Sequence, residues 1–236
     1  MAPGATQADR AADVGAVVAR LRGLVTALPA QDGVAAFATA YLTVTEALAG
    51  HLAAGGYFKN PDGVARLDVL FAGRFLDALT ARRPPACWRP LLQLRLHPGV
   101  LPVQFALCGM NAHIEHDLPL AVVDACTLLG CSPEELSGDF HRVNDLLAQV
   151  EEEVRDRLMP VVDGELAVAE PLLHLLSAWS IERARDAAWA SAATLWELRD
   201  RPDAYRVAAE ALDDATGLVC RCLLTPLGAL GALGTG

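Results

Sequence analysis

Apolar residues recur along this chain three and four positions apart, the spacing that lays them on one face of an α-helix. Val14, Val17, Leu21, Leu24 and Leu28 mark such a face over about 9–27, and Pro29 closes it. Phe37, Tyr41, Val44, Leu48 and Leu52 mark a second helix, which Asp32 can cap and Gly55-Gly56 ends. Asn60-Pro61-Asp62 is a helix start, with Asn at the N-cap, Pro at the first helical position and an acid in the first turn. Val64, Leu67, Phe71 and Phe75 form the face that follows. Arg82-Arg83-Pro84-Pro85 breaks the chain, a short helical piece runs from about Trp88 to Leu96, and His97-Pro98-Gly99 turns it again.

In the second half, Ser132-Pro133-Glu134-Glu135 has the form of a capping box and predicts a short helix ending at Gly138. Asp139 then caps a long helix with the stripe Phe140, Val143, Leu147 and Val150. Pro160 to Gly164 breaks the pattern, and helical segments follow over about 165–178 and, capped by Ser180, from Ile181 past Trp196. Arg201-Pro202-Asp203 opens a last helix that reaches about Leu224. No period-two alternation and no repeat emerges. The fold class is therefore all-α: a single-domain bundle of about eight helices over 9–225, with a disordered N-terminus (1–8) and a flexible tail (226–236).

One stretch differs from the rest. Gln104 to Leu118 reads QFALCGMNAHIEHDL and is apolar nearly all the way round the helix. That pattern predicts a buried central helix over about 101–118. Gly109 would let another helix or a ligand approach closely. Yet the same segment carries Asn111, His113, Glu115, His116 and Asp117. Buried polar groups need partners, so these belong either to a structural network or to a site. His113 and Asp117 are four apart and share one side. Pro119 lacks the N–H that would bond the turn at Glu115, and should kink or end the helix there before it resumes over 120–129. An earlier helix adds Asp68 on its own apolar face, with Arg74 placed to pair with a carboxylate from a neighbouring helix.

Composition narrows the function classes. The net charge is −10, from 29 acids against 19 bases, and Lys59 is the single lysine. A phosphate-backbone binder needs a basic stripe, so nucleic acid and anionic membrane surfaces are excluded as expected partners. The six cysteines form no C-x-x-C pair and read as free thiols of a reducing cytoplasm. There is no basic-then-apolar leader and no apolar run of about 20 residues, the length of a membrane span. The expected location is cytoplasmic, and self-association as a homo-oligomer is left open.

The common nucleotide, metalloprotease and hydrolase signatures are absent. What remains is Asp68, Asn111, His113 and Asp117, with Asn144, Arg74 and His116 alongside. A carboxylate four residues from a histidine can fix its tautomer and raise its basicity, giving an acid/base group. The same pair, with Asp68 as third ligand, can instead hold a divalent metal with an open position for water. No cofactor is required by the sequence. A non-catalytic binding protein, or a purely structural polar core, would use the same residues.

These motifs carry a resemblance. Leu67-Asp68-Val69 with Phe71, Arg74 and Phe75, then CGMNAHIEHDLP, then Asp139-Phe140 with Asn144, resemble an uncharacterised, mainly actinobacterial domain-of-unknown-function family with a G-[MI]-N-A-H-I-x-x-D-L signature. Ala184-Arg185 with Ala188-Trp189 resembles a late A-R-x-x-A-W element of that family, and the likeness spans roughly residues 40–195. It implies that Asp68, Arg74, Asn111, His113, Asp117 and Asn144 are shared positions and that His116 departs from the pattern. It brings no reaction, but it implies secondary metabolism. The expectation is an enzyme acting on an apolar small molecule by cyclisation, isomerisation or hydrolysis. His113, Asp117 and Asp68 would be catalytic, and Asn111, Arg74, Asn144 and His116 would hold substrate.

Overall fold

The structure, a computed structural model, describes residues 7–158 and 180–226, with side chains from 13 to 147 and from 180 to 226. Its helices are α1 (Gln7–Ala27), α2 (Gly33–Ala54), α3 (Pro61–Ala78), α4 (Arg89–Leu94), α5 (Pro102–Ala112), α6 (Leu118–Leu129), α7 (Pro133–Leu158), α8 (Ile181–Leu198) and α9 (Pro202–Leu223). A π-helical turn, His113–Asp117, joins α5 to α6 without a break. With those two counted as one rod there are eight, and no strand, among the described residues. The expected segment at 165–178 and the terminal stretches 1–6 and 227–236 lie outside the described residues.

Local chemistry sets most of these boundaries. Asp32 Oδ1 accepts from the Val34 amide at 2.8 Å, and Asn60 Oδ1 accepts from the Gly63 amide at 2.9 Å. Each satisfies an orphan donor of the first helical turn. Ser180 Oγ caps α8 through the Arg183 amide at 3.3 Å. At the end of α6, Gly130 adopts φ 64°, a left-handed cap open to glycine at little cost.

The expected stop at Gly138 does not occur. α7 runs straight through Gly138 and Asp139. A single helical glycine costs only about 1 kcal/mol, and Leu136 and Phe140 on either side are buried in one apolar cluster. Asp139 therefore caps no helix of its own. Its carboxylate accepts from the Lys59 amide at 2.9 Å and from the Asn60 amide, fixing the loop that launches α3.

The α5–α6 rod lies at the centre. α2 crosses α5 closely because Gly109 has no side chain: a Cβ there would sit 2.3 Å from Phe37 Cγ. Phe37, Phe75, Trp88 and Phe105 build the largest core on this side. α3, α7 and α8 close over the other side through Leu118, Val122, Phe140, Ala184 and Ala188. α9 returns to α5, where Gln104 Nε2 donates to the carbonyls of Leu223 and Thr225, both at 2.9 Å. α2 is long and apolar enough by length and composition to cross a membrane, but half of its most apolar window is buried within the protein.

Candidate active site

Proline shapes the central turn. Pro119 cannot donate, and its ring crowds the carbonyl four residues back. The chain responds neither by ending nor by a sharp break. It widens: the Leu118 amide bonds the His113 carbonyl, five residues back. Single π turns of this kind often mark functional sites. This one carries His113, His116 and Asp117, all buried.

Asp117 is the hub of that turn. Its Oδ2 accepts from His113 Nδ1 at 2.9 Å and from Trp88 Nε1 at 3.0 Å. Its Oδ1 accepts from His116 Nδ1 at 2.8 Å. Burial alone would push this carboxyl up, but the hydrogen bonds and charges of the two histidines outweigh it and leave Asp117 below the usual carboxylate range. An ionised carboxylate only accepts, so both histidines present Nδ1–H to it. His113 Nε2 is then left as the free ring atom.

That atom has no partner, although it is buried. The His113 ring lies parallel to Phe71, 3.5 Å between centroids, and edge-on to Tyr41 at 4.6 Å and Phe37 at 5.7 Å. Burial lowers its pKa below the ordinary histidine value, against the pull of Asp117. Three further buried atoms are unpaired in the same way: Asp68 Oδ2, Tyr41 Oη and, away from these, Arg74 Nε. Burial pushes Asp68 up to about 7. Burial first, then the charges of Asp68 and Asp117, raise the Tyr41 phenol against a weaker opposing effect of Thr45.

Tyr41, Asp68 and His113 all line one cavity of about 110 Å³. Its walls are otherwise largely apolar and come from α2, α3, the central rod, α7 and α8, among them Val44, Leu67, Phe71, Met110, Ile114 and Leu146. Arg185 on α8 also lines it. This buried guanidinium donates to Asn144 Oδ1 and, at 2.8 Å, to the Phe140 carbonyl, and stacks 4.1 Å over the Phe140 ring. Burial pushes it down to about 9, with Asp186 opposing.

The predicted site residues thus divide. His113 and Asp68 meet at the cavity, and Asp117 holds His113 from behind. Asn144 is outside the lining and holds Arg185. Arg74 pairs with Asp124 of α6, a carboxylate from a neighbouring helix as its position implied. Asn111 turns the other way and donates to Cys220 Sγ at 3.4 Å. His116 also faces away from the cavity, with Nε2 3.8 Å from Asp213 Oδ1. All six cysteines are free. Among the described residues, the His, Cys, Asp and Glu side chains whose ligand atoms gather within 4.8 Å of one another are Cys87, His116 and Asp117. Asp68 and His113 are not part of that group.

Sequence reasoning missed Tyr41, Trp88, Arg185 and Asp213. Tyr41 carried a signal, since its hydroxyl sits on an otherwise apolar helix stripe. Trp88 and Asp213 are 29 and 96 residues from Asp117, and nothing in local spacing connects them.

The chain belongs to the family of unknown function DUF5995, whose family model matches residues 14–226. No curated protein and no solved structure matches it.

Proposed function

We propose that this DUF5995 protein is a small-molecule enzyme of secondary metabolism that takes an apolar substrate into the cavity beside His113. One observation carries the reading. Of the four buried side-chain atoms that lack a hydrogen bond among the described residues, three belong to residues that line the same apolar cavity: His113 Nε2, Asp68 Oδ2 and Tyr41 Oη. Each such atom costs about 1–3 kcal/mol when left unmade, so a purely structural core would pair or replace them. Bonds to a substrate are what they lack.

Roles follow from the wiring. Asp117 fixes the His113 tautomer, so Nε2 offers a lone pair to a substrate proton and can return it. Asp68, at about 7, stands where a carboxyl can either donate or accept. Tyr41 Oη is a donor for a substrate oxygen. This set serves cyclisation, isomerisation or hydrolysis, all of which move a proton beside an apolar skeleton. The volume of about 110 Å³ calls for a slender substrate, or for part of one. The acidic surface, at net charge −10, fits a neutral organic molecule better than a polyanion.

The test is to incubate the protein with small-molecule extracts, recover retained compounds and follow them by mass spectrometry. Wild type should bind and convert at least one apolar compound. His113→Ala should bind it and leave it unchanged while its far-ultraviolet spectrum stays helical. Conversion at the wild-type rate by His113→Ala would remove the acid/base role, and retention without conversion by wild type would reduce the protein to a binding module.

A further inference from the structure

A second constellation lies behind the π turn, on the side of Asp117 away from the cavity. Cys87, His116 and Asp117 are all buried, and their ligand atoms fall within 4.8 Å of one another. Cys87 comes from the loop before α4, and the two others are adjacent in the π turn. We propose that these three residues form a transition-metal site, with zinc(II) as the fitting ion.

Donor chemistry points to that ion. A thiolate, an imidazole and a carboxylate are a zinc set, and the thiolate argues against magnesium or calcium. Zinc bond lengths of about 2.0–2.3 Å place tetrahedral donors about 3.3–3.6 Å apart, so the group needs only a modest contraction. Three protein ligands leave the fourth position to water or a small anion. The Cys87 side chain is fully buried, beside the two other donors.

The loop carrying Cys87 is held as a metal site requires. Asp213 of α9 accepts from the Ala86 amide at 2.7 Å and from the Cys87 amide at 2.9 Å. Trp88, the next residue, reaches Asp117. Gly217 lets α9 lie against this loop, since a Cβ there would sit 2.8 Å from the Ala86 carbonyl oxygen. The Cys87 loop is thus held in place before any ion arrives. The Asp213 side chain keeps about 20% of its exposure, which gives the ion a short route from solvent.

Proton bookkeeping is simple. The metal replaces the bond between His116 Nδ1 and Asp117 Oδ1. The ring proton moves to Nε2, where Asp213 Oδ1, now 3.8 Å away, accepts it as the supporting carboxylate of a metal-bound histidine. Asp117 Oδ2 keeps His113 and Trp88. One proton, from the thiol, leaves for each ion bound.

Cobalt(II) is the probe, because a thiolate ligand gives it a near-ultraviolet charge-transfer band. Full-length protein stripped with chelator and dialysed should take up one cobalt per chain with that band, and zinc should displace it. Cys87→Ser should lose the band and bind cobalt at least about 100-fold more weakly, while Cys222→Ser, at an exposed thiol, and Asp68→Asn, in the cavity, keep both. If Cys87→Ser does not fold, Asp213→Asn serves instead and should weaken binding about 10–100-fold with the band retained. Absence of stoichiometric uptake by wild type, or an unchanged band in Cys87→Ser, overturns the proposal. The readout is independent of any reaction, so either outcome leaves the reading of the cavity to its own test.

Discussion

The two ring nitrogens of His113 face opposite kinds of surroundings. Behind it, Nδ1 meets Asp117, whose carboxylate is shared with His116 and Trp88. In front, His113, Asp68 and Tyr41 line a cavity walled by Leu, Phe, Val and Ile, and Nε2, Asp68 Oδ2 and Tyr41 Oη form no hydrogen bonds. Both regions are buried, and both place polar groups where apolar ones would be cheaper. The difference lies in satisfaction. A closed network rigidifies, and an open one stores bonding capacity. The first region is a mount for the imidazole; the second is where the proposed chemistry would take place.

The largest predicted effect breaks the mount. Asp117→Ala strands the N–H groups of His113, His116 and Trp88, and should cost about 3–5 kcal/mol in urea unfolding. A loss below about 1 kcal/mol would mean the network is not closed.

Asp68 sharpens the other half. Its carboxyl rises from 3.8 to about 7 in the folded state, so between those values the folded protein holds a proton that the unfolded chain has released. Stability from this group is therefore full below about pH 4 and declines as pH rises to about 7. At about 1.4 kcal/mol per pH unit, the decline reaches about 4 kcal/mol. Asp68→Asn should flatten it. Equal slopes for wild type and variant in urea unfolding at pH 5, 6, 7 and 8 would show that Asp68 is not held in a desolvated site.

A smaller effect tests what separates the two regions. Phe37 packs edge-on to His113, borders the cavity and occupies the space a Gly109 side chain would need. Gly109→Ala should cost about 1–3 kcal/mol and shift the Phe37 ring signals in an NMR spectrum. Unchanged stability would place the α2–α5 crossing further apart.

Much of this was legible in the chain. Helical periodicity located the elements, and the caps at Asp32, Asn60 and Ser180 are as the sequence implies. The nearly all-apolar rod from Gln104 to Leu118 is central, and Gly109 marks a close helix crossing. Gly138 misled because a helix with a buried stripe on both sides tolerates one glycine. Pro119 announced a disturbance, but whether a proline ends, kinks or widens a helix depends on the tertiary packing around it. In the site, the His113–Asp117 pair follows from local spacing and Asp68 from an acid on an apolar face. The direction of each remaining side chain does not. Asn111 and His116 sit within three residues of His113, yet face α9 rather than the cavity. Trp88, Arg185 and Asp213 reach the network or the cavity from distant segments, and long-range pairing leaves no trace in spacing.

The most direct test of the cavity uses two small probes of nearly equal size, phenol and toluene, titrated while the His113 ring is followed by nitrogen-15 NMR. An apolar cavity of this size accepts an aromatic ring, and one with an unpaired ring nitrogen and carboxyl prefers a ring that carries a hydroxyl. Phenol should bind about 10-fold more tightly than toluene and shift the Nε2 resonance while Nδ1 stays fixed by Asp117. Binding of neither probe, or equal binding with Nε2 unmoved, would contradict the claim that His113 faces a site.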